Sequence, residues 1–132
     1  MDEALIKRYA LPVPRYTSYP TANHFSGQVG VAEYRRWLGT LAPAAKLSLY
    51  VHIPFCRELC WYCGCSTKAT RRTRPVTDYL DSLAAEITAL AAALPGRPSV
   101  SHLHWGGGSP NILQAPDIVR LGTALRARFD IA

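Results

Sequence analysis

Four cysteines fall between Cys56 and Cys65, in the order Cys56-x3-Cys60-x2-Cys63-x-Cys65. Thiolates this close together suit iron, because one tight loop lets several sulfurs wrap a single cubane. Cys56, Cys60 and Cys63 can bind three irons of a 4Fe–4S cluster and leave the fourth iron open to an outside ligand. Structural zinc favours two separated ligand pairs, and here there is one cluster and no second pair. His52 stands close, but in a strand its side chain can equally pack or face a barrel interior. A redox dithiol would use Cys60 and Cys63 and leave Cys56 unexplained. A disulfide framework needs an oxidising compartment, and cysteines this clustered make poor staples for a domain. Spacing therefore favours the cluster.

Two other stretches could take part in chemistry. Trp105-Gly106-Gly107-Gly108-Ser109-Pro110 follows an apolar run. Glycine lets backbone groups approach a ligand closely, although a glycine run alone can be merely a tight turn. Lys68, Arg71, Arg72 and Arg74 form a basic tract directly after the cysteines, in a chain of net charge +6. Such charge suits an anionic partner, whether nucleic acid, an acidic membrane surface or a small polyanion. The plain alternative for the tract is a solvated loop.

The elements that must position these residues can be read from periodicity. Residues 1–30 are expected to be an irregular arm, since Pro12, Pro14 and Pro20 interrupt any helix. Val31, Tyr34, Trp37, Leu38 and Leu41 recur at helical spacing, and Pro43 closes that helix. Leu47–Phe55 reads as a buried strand leading straight into the cysteine loop. A helix follows from about Thr77 to Leu94, with Leu80, Leu83, Ile87, Leu90 and Leu94 as its stripe and Pro95-Gly96 as its stop. Asp78 and Asp81 suit its positive end. Val100–Trp105 reads as a second strand running into the glycines. Pro116 and Asp117 open a last helix that buries Ile118, Leu121, Leu125 and Phe129, with Arg126 and Arg128 near its negative end.

Strand, loop, helix, strand, loop, helix is an α/β order, and such units require a parallel sheet. Chemistry in these architectures gathers at the C-terminal ends of the strands, so the two loops should be neighbours. Two strands alone cannot manage both faces and edges of a parallel sheet. The chain of 132 residues is therefore expected to be an N-terminal portion of a longer enzyme, inactive in isolation. Its composition, 48% hydrophobic and 18% charged, is that of a globular domain. The start Met1-Asp2-Glu3 does not resemble a secretory signal, and no apolar run could span a bilayer. A cytoplasmic protein is expected.

Cys-x3-Cys-x2-Cys after a first strand resembles the signature of the radical S-adenosylmethionine superfamily. The glycine run one helix later is similar in type and place to that superfamily's motif for the amino group of S-adenosylmethionine. The resemblance implies a partial (β/α)6 barrel, of which this chain would hold the first two βα units. Residues 1–45 would be the arm and helix, and residues 46–132 the start of the barrel. Three further features resemble the oxygen-independent coproporphyrinogen III oxidase family. They are Pro14-Arg15-Tyr16-Thr17-Ser18-Tyr19-Pro20-Thr21, Tyr50-Val51-His52-Ile53-Pro54-Phe55-Cys56, and the Cys63-x-Cys65 ending. By this resemblance Tyr50 and Gly107 contact one S-adenosylmethionine, while Tyr62, Gly108 and Ser109 contact a second. Tyr62 replaces a common phenylalanine and Ser109 a common threonine, each keeping the relevant chemistry.

The activity so implied is oxidative decarboxylation of two propionates of coproporphyrinogen III to vinyl groups, giving protoporphyrinogen IX through a 5′-deoxyadenosyl radical. The implied partners are that tetrapyrrole and an electron donor, with no nucleic acid, no membrane and a monomeric state expected. A haem chaperone of the same superfamily is the near rival, and the arm and Cys65 argue against it. A non-catalytic metal-binding module that docks through the basic tract is the distant one.

Overall fold

The computed structural model describes residues 3–10 and 20–131. Most of the arm motif, Pro14 to Tyr19, lies outside the described residues. The chain divides into two compact units, Met1–Tyr34 and Arg35–Ala132. In the first, helix α1 spans Glu3–Tyr9 and carries a Glu3–Lys7 ion pair of 2.8 Å. The expectation of an irregular start is thus corrected at this segment. The first proline comes only at residue 12, leaving two turns upstream free to coil, with a favourable i,i+4 charge pair. A short 3-10 turn, Ala22–His24, follows.

Helix α2 (Val31–Gly39) forms where the apolar spacing places it, though it ends four residues before Pro43 and has no buried residue. The remaining elements all lie in the second unit. They are β1 (Lys46–Ile53), β2 (Phe55–Cys56), β3 (Lys68–Ala69), α3 (Thr73–Ala92), β4 (Ser99–Gly107), α4 (Ala115–Arg128) and β5 (Asp130–Ile131). The main sheet has the order β1-β4-β5, and both pairings are parallel. The expected pair of strands is therefore joined by a third, too short to be read from sequence. The expected strand Leu47–Phe55 is also divided, because Pro54 lacks the N–H needed to continue the ladder. Phe55 and Cys56 instead pair with Lys68 and Ala69 in a separate parallel bridge.

Burial on β1 alternates. Val51 and Ile53 sit in the core, whereas Tyr50 on the opposite face is exposed, as period-two geometry requires. The core face is covered by Val76, Leu80, Leu83 and Ile87 of α3 and by Leu121, Leu125 and the adjoining Phe129. Each fully buried aliphatic side chain of this kind contributes about 1.5–3 kcal/mol. Ile118, expected on the buried face of α4, is instead exposed. Helix α3 begins at Thr73, earlier than expected, with Pro75 in the first turn where a missing N–H costs nothing. Asp78 and Asp81 therefore lie beyond that turn; Asp78 approaches Arg74 at 3.7 Å and Asp81 pairs with Arg120 at 2.5 Å.

One irregularity sets the register. Leu47 pairs with Val100 but Ser48 pairs with His102, so Ser101 is an extra residue in β4. Its hydroxyl donates to the Leu47 carbonyl at 3.1 Å. From there Tyr50 lies beside His104 and His52 beside Gly106. A one-residue shift would send these side chains to the core face.

Candidate cluster and cofactor site

The cysteine loop is pinned at its base. The Lys68 amide donates to the Pro54 carbonyl at 2.7 Å, and the Thr70 amide to the Cys56 carbonyl at 2.8 Å. Arg71 pairs with Glu58 at 2.6 Å across the same base, with both side chains largely exposed. The His52 ring reaches the Ser66 carbonyl with Nε2 at 3.0 Å. Within the loop the Cys63 amide donates to the Cys60 carbonyl at 3.0 Å. Cys63 Sγ lies 3.4 Å from the Thr67 hydroxyl. That hydroxyl first, and Cys65 second, hold the Cys63 thiol below its ordinary pKa by favouring the thiolate.

All four cysteines are free thiols, Cys56 partly buried and Cys60, Cys63 and Cys65 exposed. Their softness and closeness in one loop fit an iron–sulfur cluster. Among the described residues no three His, Cys, Asp or Glu side chains are gathered into a metal site. The donor set fits such a cluster in its chemistry, and ligands of this kind reach their final geometry together with the metal in many small metal sites. Tyr62, at the exposed part of this loop, is 90% exposed, and its neighbour Trp61 is wholly so.

The glycine run ends beside Cys56. The Gly108 amide donates to the Ile53 carbonyl at 2.8 Å and the Ser109 amide to the Phe55 carbonyl at 2.9 Å. Ser109 Oγ lies 3.6 Å from Cys56 Sγ. A Cβ on Gly108 would collide with the Phe55 backbone, coming 2.8 Å from its carbonyl carbon. Gly107 has φ of +105°, a conformation that glycine adopts far more readily than other residues. On the open face of the sheet, Tyr50 stacks on His104 with centroids 5.8 Å apart. Its hydroxyl lies 3.3 Å from His52 Nδ1.

The structure thus brings Cys56, Gly108 and Ser109 together, sets Tyr50 on the adjoining face, and hangs Cys60, Cys63 and Tyr62 on the loop. His104 and the bridging role of His52 were missed from sequence. The i,i+2 spacing of Tyr50 with His52, and of His102 with His104, was the available signal, since strand geometry puts such residues on one face.

No family model matches the chain. It is 46% identical over 117 residues to an oxygen-independent coproporphyrinogen III oxidase of Bradyrhizobium diazoefficiens, covering 89% of this chain and 26% of that protein. It is 47% identical over 128 residues to the Escherichia coli enzyme of the same name, covering 97% of this chain and 28% of that protein. The solved structure of Escherichia coli coproporphyrinogen III oxidase, described as a radical SAM enzyme, matches with a TM-score of 0.81 at 44% identity. That match covers 99% of this chain and 28% of the other. No helix among the described residues is long and apolar enough to cross a membrane. Spanning a little over a quarter of these relatives' length, the chain is related in both sequence and fold to the oxygen-independent coproporphyrinogen III oxidases.

Proposed function

We propose that this chain supplies the cluster-binding and cofactor-binding part of an oxygen-independent coproporphyrinogen III oxidase. The observation that carries the reading is the junction of the two loops. Gly108 and Ser109 bond to the end of β1 and to Phe55, which sets the glycine turn against Cys56. Cys56, Cys60 and Cys63 would hold a 4Fe–4S cluster, and Cys65 would stay off the iron. When bound, the cluster and S-adenosylmethionine supply the electron and the radical that start decarboxylation of a propionate.

The chain's own residues position those groups. The amides of Gly108 and Ser109 are already engaged, so this turn offers oxygen acceptors, which suit an ammonium better than a carboxylate. Tyr50 and Gly107 are assigned to one S-adenosylmethionine, and Tyr62, Gly108 and Ser109 to a second. Residues 46–132 are assigned as the first βα units of a (β/α)6 barrel, preceded by the arm and helix of residues 1–45. Coproporphyrinogen III as substrate, an external electron donor, a monomeric state and a cytoplasmic location complete the reading.

Anaerobic reconstitution with iron and sulfide tests it. Equimolar iron and sulfide, with an electron paramagnetic resonance signal that changes on adding S-adenosylmethionine, is the expected result. Zinc retained in place of iron, or a signal indifferent to the cofactor, would overturn it.

A further inference from the structure

We propose that an arginine-lined cleft beside the cysteine loop binds carboxylate groups of a ligand. The cysteines and the glycine turn leave this cleft without a role. Arg57, Arg71 and Arg72 line it together with Thr70. A second cleft adjoins it, sharing Arg57 and Ile112 and reaching Ser109 and Asn111. The arginines converge because the bridge between β2 and β3 returns the chain beside Cys56. Arg57 leaves that bridge on one side, and Arg71 and Arg72 follow it on the other.

Two carboxylates line the same surfaces, and both are engaged. Glu58 pairs with Arg71 at 2.6 Å. Asp117 accepts the Gln114 amide at 3.1 Å, at the start of α4. The guanidinium groups of Arg57 and Arg72 have no carboxylate partner among the described residues. A guanidinium is a planar fork that matches a carboxylate in two parallel hydrogen bonds. Asn111 adds a neutral donor in the adjoining cleft. The cleft is open to solvent, so it can accept the edge of a larger molecule.

The proposal rests on the functional reading only for naming the ligand. Two molecules in that reading carry carboxylates: the tetrapyrrole, through its propionates, and S-adenosylmethionine, through its methionyl end. The second cleft runs from Arg57 to Ser109, so it links the arginines to a residue assigned above to S-adenosylmethionine.

The test uses the 132-residue chain and two probes, coproporphyrin III followed by fluorescence and S-adenosylmethionine followed by calorimetry. Arg57→Gln and Arg72→Gln are compared with Arg126→Gln, which removes the same charge at the far end of α4. Each cleft variant should weaken one probe about three- to tenfold, an effect eroded by salt, while Arg126→Gln changes it less than about twofold. Weakened coproporphyrin identifies the propionates as occupants, and weakened S-adenosylmethionine identifies the methionyl carboxylate. Equal affinity in all variants, an equal loss in Arg126→Gln, or no binding of either probe by the unmodified chain would overturn the site. Iron and sulfide content of the same samples reports on the functional reading separately.

Discussion

The imidazole of His52 occupies the space into which a side chain at Gly107 would project, 2.6 Å from an added Cβ at its nearest atom. The ring is itself held. If Nε2–H donates to the Ser66 carbonyl, Nδ1 is an acceptor and the Tyr50 hydroxyl donates to it. One imidazole thereby joins the glycine turn, the cysteine loop and the open face of β1.

Gly107→Ala should cost about 1–3 kcal/mol from the positive φ alone, with the collision added. In a His52→Ala background the collision disappears and the backbone share remains, so the two changes should be non-additive. Urea denaturation of the four proteins measures this. The same loss in both backgrounds would show that the ring does not limit the site.

Gly106 and Gly108 should differ sharply although they flank the same residue. A Cβ at Gly106 would meet the Tyr50 ring and hydroxyl at 3.0 Å, atoms at the end of a side chain that can turn aside. At Gly108 it would meet the Phe55 backbone, whose carbonyl accepts the Ser109 amide and whose upstream neighbour Pro54 accepts the Lys68 amide. Gly106→Ala should cost about 1 kcal/mol or less and Gly108→Ala about 3 kcal/mol, read from thermal melts. Cofactor contact is better probed at Ser109. Ser109→Ala should leave the melt unchanged and weaken S-adenosylmethionine about three- to tenfold by calorimetry.

The sequence made the parallel order of β1, α3, β4 and α4 legible because their apolar periods are long. Leu80, Leu83 and Ile87 announce one helix face and Leu121 and Leu125 another. The start of α3 was obscured because Pro75 looks like a breaker, while its position inside the first turn makes it harmless. β5 was hidden by its length of two residues. At the site, cysteine spacing and the glycine run identified the two loops. Their junction through Gly108, Ser109 and Cys56, and the bridge from His52 to Ser66, are contacts between distant segments that no local pattern encodes.

Tyr79 should make stability fall at alkaline pH. Its hydroxyl donates to the His52 carbonyl at 2.6 Å, on the strand at the edge of the sheet. Burial, and next the charge of Glu86, push its pKa above the ordinary value of 10.0. The folded state then keeps a proton that the unfolded chain releases. Stability from this group is full below about pH 10 and declines as pH rises toward the folded pKa. Tyr79→Phe should lose about 0.5–1.5 kcal/mol at neutral pH, and its stability should decline less than that of the unmodified chain above pH 10. Parallel melts across that range provide the check, and identical alkaline slopes would remove Tyr79 from the account.

The four cysteines should divide three to one. Cys56 is fixed by the β2–β3 bridge and lies beside Ser109, so its sulfur has a defined place at the base of the loop. Cys60 and Cys63 are joined by a backbone hydrogen bond that keeps them in one turn. Hydrogen bonds from Thr67 first, and Cys65 next, lower the pKa of Cys63, and the thiolate is the form that binds iron. Full ligation by four cysteines would leave no open iron for S-adenosylmethionine. Cys65→Ser should therefore keep about four irons per chain and the cofactor-dependent change in the paramagnetic resonance spectrum. Cys56→Ser, Cys60→Ser and Cys63→Ser should each lose most of the iron or yield a degraded cluster. Iron analysis and spectra of the four reconstituted variants, with and without S-adenosylmethionine, distinguish the patterns. Equal iron loss in Cys65→Ser would make it a ligand and close the iron on which the assigned chemistry depends.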